Sequence, residues 1–350
     1  MTLATAAAVA VVLGATTAAA LRPPTALRAV WSNELAVRDY QNLLAGKVEA
    51  RLEDGPGIVL CQPGDPLADA WAKLAPGAAD AVLPFGSEIP ETVEAVDGSG
   101  AVESFPIYVC VAHTAAAEAL EPVLAAVRDG KREDLVFLQR GDMIEPLLKR
   151  YGCGRERQTQ ALLYLGCNEF GKLEEDRVGM GEDVQGMAKF AAESCVTGKW
   201  AGAVADRLRR SKFHCAEQFH RDWRRNMIEC VVFESVYNLV GALHKSVPVS
   251  EVGTYFGDEA DDMLYEIQRA LRGHLAVTLL AGCESRMAAY AATQARSKQD
   301  NRLARVARAS PTRNGFFYDL STTALARDFP DPCPMHTEYW EYGLEKGLFE

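Results

Sequence analysis

Arg225 and Glu229 are the side chains in this sequence best suited to chemistry. They lie four residues apart in the segment Asp222–His244, whose periodicity predicts a long helix, so they share one face, which Phe233 continues. A guanidinium and a carboxylate beside a cleft can bind an anion and transfer a proton, and we predict both as catalytic residues. The alternative is a solvated ion pair at the start of a core helix.

A strand–helix–strand pattern precedes this helix. Ile107–Val111 and Leu135–Leu138 are apolar runs typical of buried strands, and Ala115–Val127 between them has helical spacing. A unit of this length is the repeating piece of a parallel, doubly wound sheet. The pattern therefore predicts an α/β, Rossmann-like domain in the first half of the chain.

The loops that leave these two strands are candidate ligand contacts, since ligands bind beyond the carboxyl ends of parallel strands. The first loop carries Ala112, and the second carries Gln139, Arg140 and Gly141. We predict cofactor contacts at Ala112, Gln139 and Gly141. Arg140, as a cation, is predicted to bind the substrate.

The first strand and helix of this domain are predicted at Gly57–Leu60 and Leu67–Leu74. Between them, a dinucleotide-binding turn normally reads GxGxxG, because glycine allows the backbone to approach the pyrophosphate. Here Gly64 is the only glycine, and Asp65 adds a negative charge. Gln62 and Gly64 are the predicted cofactor contacts, but a domain that binds a dinucleotide weakly or not at all fits the turn equally well.

The second half of the chain has a different pattern. After a last predicted strand at Ala161–Cys167, long helical periodicity covers Gly198–Arg210, Asp222–His244 and Glu259–Tyr290. A Rossmann-like domain followed by an all-α domain implies a cleft between the two. We predict the first domain at 34–175, the helical domain at 176–310, and a docked, aromatic-rich tail at 311–350.

The N-terminal 33 residues contain no acidic residue, and Leu3–Ala20 is rich in Ala, Val and Leu. The apolar run alone would suggest a secretory signal peptide, and with the acid-free continuation that holds Arg22 and Arg28 it favours a cleaved targeting peptide for a plastid reached through the secretory system. The alternatives are secretion, a disordered N-terminus or a membrane anchor. The run is about the minimum length for spanning a bilayer and is rich in Ala and Thr. We therefore expect no stable membrane span in the mature chain.

Composition limits the partners. A formal net charge of −11 argues against nucleic acid, and the arginines above favour a small anionic metabolite. The 9 cysteines form no CxxC pair, and Cys333 with His336 supplies only two ligands, so no metal site is predicted. The helical half is compatible with a homodimer but does not require one.

Several blocks of the sequence resemble known proteins. IYVCVAHTAAAEALEPVL with DLVFLQRGDMIEPLL resembles ketopantoate reductase, and DWRRNMIECVVFE is similar to that family's helix Trp-x-Lys-x-x-x-Asn-x-x-x-Asn. The chain more closely resembles a subgroup of plastid proteins from plants and algae. The matching blocks are SNELAVRDYQNLLAGK, GKWAGAVADRLR, NLVGALH, RNGFFYDLS and PDPCPMHTE.

The resemblance implies NADP- or NAD-dependent hydride transfer to a 2-keto acid in the interdomain cleft. The family's Asn in Gln-Asn-Gly falls at Arg140, its catalytic Lys at Arg225, and its two helix Asn residues at Glu229 and Phe233. Arginine is a poor proton donor because its pKa stays far above neutrality. Two functions follow: an oxidoreductase acting on a small anionic keto acid, or a catalytically degenerate reductase that binds a metabolite or assists protein assembly.

Overall fold

The computed structural model describes residues 51–62, 65–75, 80–95, 97–110, 116–153, 157–167, 173–175, 194–245, 247–293 and 312–348. The predicted targeting peptide lies outside these residues. In the described part of the chain, no helix is long and apolar enough to cross a membrane.

Eleven strands occur in the described residues: β1 Ile58–Cys61, β2 Ala81–Pro84, β3 Val93–Glu94, β4 Ala101–Val102, β5 Ile107–Cys110, β6 Leu135–Gln139, β7 Thr159–Leu162, β8 Leu165–Cys167, β9 Leu173–Glu175, β10 Cys195–Thr197 and β11 Ala216–Glu217. Seven of them form one sheet in the order β11-β10-β7-β6-β5-β1-β2. Only β10 against β7 pairs antiparallel in this sheet, while β3 with β4 and β8 with β9 form separate hairpins.

The central strands are buried on both faces, as parallel strands covered by helices must be, and are mostly apolar, with the polar Gln139 at the end of β6. Ile58 aligns with Ile107, and Ile107 with Leu135, so these strands run in register. Their carboxyl ends consequently share one edge of the sheet. The turn that follows β6 begins at this edge.

The helices are α1 Pro66–Leu74, α2 Ala116–Ala126, α3 Glu145–Arg150, α4 Ala201–Arg210, α5 His220–Leu243, α6 Val249–Tyr255, α7 Gly257–Leu275, α8 Cys283–Thr293, α9 Asn314–Leu325 and α10 Pro334–Glu345, with a 3₁₀ turn at Asp129–Asp134. From Asn226 to Ala242, α5 is buried at every position. A helix that is buried all round lies at the centre of its domain. The other helices of the second half pack around it.

The predicted class, a Rossmann-like α/β domain followed by a helical one, is confirmed. Two predicted elements are wrong. Ala161–Cys167 is divided between β7 and β8, which belong to different sheets. Glu259–Tyr290 is divided into α7 and α8, because the chain leaves the helix at Ala276 in a left-handed conformation with φ 52°.

The main sheet continues beyond residue 175, into the segment for which helices alone were predicted. β10 pairs with β7 through Cys195 opposite Leu162. On α4, Val204 and Leu208 belong to the same apolar cluster as Trp71 of α1. Residues 194–217 therefore pack with the sheet, and a strand of three residues is too short for its alternation to be seen in the sequence.

A buried arginine ties the start of the sheet to α4. Arg207 is fully buried, and its guanidinium pairs with Asp54 at 2.8 Å and with Asp80. Asp80 also accepts a hydrogen bond from the backbone of Gly57, and the guanidinium lies 4.5 Å from the ring centre of Tyr108. The two carboxylates precede β1 and β2, so this cluster fixes both strand entries.

The C-terminal residues pack into the helical core. Phe317 and Cys333 are fully buried, and Trp340 is nearly so. The imidazole Nε2 of His336 lies 3.0 Å from Asn314 Oδ1. Cys333 and His336 are both fully buried in this core, and no group of three metal-binding side chains occurs in the described residues.

Burial lowers the pKa of His336 from 6.5 to about 4, since the imidazolium loses its hydration. The unfolded chain therefore binds this proton first as the pH falls. We expect the free energy of unfolding to decrease between pH 6.5 and about 4 by up to about 3 kcal/mol. Urea unfolding across this range measures this decrease in the free energy of unfolding.

His336→Gln should remove that share of the pH dependence, whereas His274→Gln, at an exposed site, should not. An unchanged pH dependence in His336→Gln would refute the assignment.

Candidate active-site cleft

The turn after β6 packs directly on α5. Gly141 has φ +78°, and a Cβ added there would lie 2.7 Å from the thiol sulphur of Cys230. The same sulphur lies 3.9 Å from the carbonyl oxygen of Arg140. Glycine is required here both by the left-handed backbone and by the close approach. The turn thus brings the sheet edge against α5 next to Glu229.

Gln139 holds this turn in place. The side chain is fully buried, and its amide nitrogen donates to Gln160 Oε1 at 2.9 Å. Its amide oxygen accepts from the backbone N–H of Asp142 at 3.1 Å. Both ends of the amide are therefore hydrogen-bonded within the protein, so the side chain supports the turn. The cofactor contact expected at Gln139 stays a prediction.

Arg313, from the residues before α9, closes over the same turn. Its guanidinium donates to the carbonyl oxygens of Gly141 at 3.1 Å and Arg140 at 3.2 Å. It also pairs with Asp142 and Glu234, each at 3.2 Å. Burial alone would lower the pKa of Arg313, but the two carboxylates outweigh it and raise that pKa. We call Arg313 with these two carboxylates the tail lock.

Thr312 adds two hydrogen bonds beside the tail lock. Its hydroxyl donates to Asp142 Oδ1 at 3.0 Å, and its carbonyl accepts from the backbone N–H of Met143 at 2.8 Å. Asp142 is buried and so depends on these partners. The tail is therefore bonded to the edge of the sheet as well as to the helical core.

Glu229 is engaged by an arginine that the sequence did not suggest. Its two carboxylate oxygens accept from Arg286 Nε at 2.9 Å and Nη2 at 2.8 Å, and the residue is 3% exposed. Burial raises the pKa of Glu229, although Arg286 opposes the shift. Arg225, predicted to work with Glu229, has a 25% exposed side chain and lies 3.7 Å from Asp222. The two predicted catalytic residues thus have different partners.

Phe233 lies in an aromatic cluster one turn further along α5. Its ring stacks on Tyr237 at 4.9 Å and meets Tyr290 of α8 edge-on at 4.8 Å. Tyr290 in turn lies 5.5 Å from Tyr164, which follows β7. A small cleft remains among these rings and the Glu229–Arg286 pair. Aromatic rings thus fill much of the space beside the turn after β6.

The first turn of the sheet presents a carboxylate at the helix N-terminus. Asp65 is buried, and its Oδ1 accepts the backbone N–H of Leu67 at 2.8 Å, which caps α1. In dinucleotide-binding Rossmann domains a pyrophosphate binds at this position. The Asp65 carboxylate already accepts the backbone N–H that would otherwise bind a phosphate, and its negative charge would repel one. This turn therefore does not fit a phosphate. Gln62 is exposed at the end of β1, whereas Gly64 and Ala112 lie outside the described residues.

No protein-family model and no curated protein sequence matches the chain. Solved structures do match. A 2-dehydropantoate 2-reductase from Methylococcus capsulatus superposes with a TM-score of 0.55 at 12% identity, over 85% of this chain and 98% of that one. A PanE/ApbA family ketopantoate reductase from Ralstonia eutropha gives a TM-score of 0.51 at 13% identity, over 83% and 99%.

The fold is that of the ketopantoate reductases. At such low identity the likeness concerns the fold, and the resemblance that the sequence blocks suggested is confirmed at that level. The plant and algal plastid subgroup stays a prediction.

Within the ketopantoate reductase fold, the structure brings together some of the predicted residues. Arg140, Gly141 and Glu229 meet around Cys230, and Gln139 supports the turn from the sheet side, whereas Arg225 lies further towards the start of α5. Two further residues could not be predicted from the sequence, because Arg286 is 57 positions from Glu229 and Arg313 is 79 positions from Glu234. Pairs this far apart leave no local spacing pattern.

Gly141 and Gly98 allow a matched test of the packing of the turn. Both have positive φ, but nothing lies within 4 Å of a Cβ at Gly98. Gly98→Ala should lower the free energy of unfolding by about 1–2 kcal/mol from backbone strain alone. Gly141→Ala should lower it by about 1–3 kcal/mol more, because the added methyl group meets Cys230. Urea unfolding measures both, and equal losses would show that the turn does not pack tightly on α5.

Proposed function

We propose that this protein has a ketopantoate reductase fold but acts by binding a small anionic metabolite, without hydride transfer. The observation that carries the proposal is the bidentate Glu229–Arg286 pair at the position expected to serve in proton transfer. A carboxylate held in this way is not available to move a proton to or from a substrate.

Reduction of a keto acid needs a proton donor beside the carbonyl oxygen. The resemblance puts Arg225 where the family has its lysine, and a guanidinium does not release its proton near neutral pH. The position of the family's second helix asparagine is Phe233, which is packed between Tyr237 and Tyr290. The residues needed for the reaction are therefore replaced or occupied.

Binding of an anion is supported by the two arginines that the sequence singled out. Arg140 and Arg225 are each partly exposed, one on the turn after β6 and the other on α5. A partly exposed guanidinium attracts small carboxylates without any chemical step. In a chain with a net charge of −11, such local positive charge favours a small anion over an extended polyanion.

The competing function is NADP- or NAD-dependent reduction of a small keto acid. It is supported by the fold, since the match covers 98% and 99% of the two reductases. It also keeps Arg140 and Arg225 as substrate contacts. The carboxylate of Asp65 at the N-terminus of α1 argues against this function, because NADP and NAD both carry a pyrophosphate that this negative charge would repel.

Nucleotide titration separates the two functions. We expect NADPH and NADH, added to the full chain up to millimolar concentration and followed by their fluorescence, to show no saturable binding. We also expect no loss of NADPH absorbance when ketopantoate or another 2-keto acid is added. Saturable micromolar binding with keto-acid-dependent oxidation would overturn the proposal.

A matched variant tests the reason for the weak binding. Asp65→Ser keeps a residue that caps helices well but removes the charge. It should therefore bind NADPH more tightly than the unaltered chain while α1 stays folded, which circular dichroism verifies. Equal affinity in the two proteins would mean that Asp65 does not exclude the nucleotide.

We also propose import into a plastid, on the strength of the acid-free residues 1–33. A fusion of this segment to a fluorescent protein should accumulate in plastids, and secretion of the fusion would contradict it.

A further inference from the structure

A second cavity of about 720 Å³ lies apart from the Glu229–Arg286 pair. It is enclosed by α3, the C-terminal end of α7 and one face of α9, and we call it the tail pocket. Thr312 and Met143, which are bonded to each other at the tail lock, form part of its wall. Its size falls within the range of about 300–1,000 Å³ that is typical of small-molecule sites.

The tail pocket has an apolar body. Phe316, Leu320 and Ala324 recur every four residues along α9 and present one face to the cavity, opposite Leu147 of α3. These side chains provide a surface for a hydrocarbon or aryl group along the helix. The burial of such a group would remove apolar area from water.

Two cationic side chains, those of Arg150 and Arg327, border the pocket, and His274 also lines it. Arg150 is 65% exposed and lies 3.3 Å from Glu121. A surface ion pair of this kind contributes little free energy, so the guanidinium can bind another anion instead. In the described part of the chain, the guanidinium of Arg327 forms no ion pair that would compete for it.

The acidic residue Asp319 fixes the direction in which a ligand would lie. It lies on α9, whereas Arg327 lies two residues beyond the C-terminal end of that helix at Leu325. The Asp319 carboxylate repels a second negative charge, and partial desolvation already raises its pKa. An anionic group would therefore lie near Arg327, with its apolar part extending towards Phe316.

We propose that the tail pocket is a binding site for an organic anion with an apolar body, such as a medium-chain carboxylate. The carboxylate contacts Arg327 and Arg150, and the chain lies along Leu320 and Phe316. This site goes beyond the proposed function and does not depend on it, because it uses neither Arg140, Arg225 nor Glu229.

The test uses decanoate as the probe and the full chain as the protein. Isothermal titration calorimetry should give saturable binding at one site. Decanamide, which has the same hydrocarbon body without the charge, should bind at least about tenfold more weakly, and acetate, which has the charge without the body, should not bind measurably.

Three variants locate the site. Arg327→Glu should weaken decanoate binding at least about tenfold, since an attractive charge becomes repulsive. Thr323→Trp, at an exposed position that lines the cavity, should abolish binding by filling it. Arg221→Glu makes the same change of charge at an exposed site of α5 outside the pocket and should leave the affinity unchanged. Circular dichroism melts verify that each variant is folded.

Three results would overturn the proposal. The first is no saturation by millimolar decanoate. The second is equal affinity for decanoate and decanamide. The third is unchanged decanoate binding in every folded variant of the pair Arg327→Glu and Thr323→Trp, so that one folded variant is enough for the test.

Discussion

Three carboxylates are buried where the helical half meets the edge of the sheet, and each must be paired. Glu229 and Glu234 lie on α5 and Asp142 follows β6, and all are at most 6% exposed. An unpaired charge in such a place costs several kcal/mol, so the fold depends on the two arginines that reach them. Arg286 comes from α8 and Arg313 from the residues before α9, and both elements are thereby attached to the junction.

This pairing also decides what the cleft can do. Arg286 pairs with Glu229 through both of its carboxylate oxygens, so this charge is satisfied within the protein. The rings of Phe233 and Tyr290 fill the space beyond it. Cations remain partly exposed at Arg140 and Arg225. Exposed guanidinium groups next to a carboxylate that is already paired are the basis for proposing that this region binds an anion rather than reduces one.

Local patterns in the sequence predicted much of the fold. Apolar runs identified β1, β5 and β6, and helical periodicity identified α5 nearly to its ends, because burial imposes those patterns directly. The spacing of Arg225 and Glu229 also placed them on one face of α5, but tertiary contacts gave them different partners. The division of Ala161–Cys167 and the strand β10 depend on pairing with distant segments, which spacing along the chain does not reveal.

The coupling between Glu229 and Arg286 tests this account most directly. A double-mutant cycle with Glu229→Gln, Arg286→Met and both together, followed by urea unfolding, measures it. We predict a coupling free energy of about 2 kcal/mol or more, as expected for a buried bidentate pair. Effects that add within about 0.5 kcal/mol would show that the two side chains do not depend on each other. In that case the Glu229 carboxylate would be available for proton transfer, contrary to the function proposed.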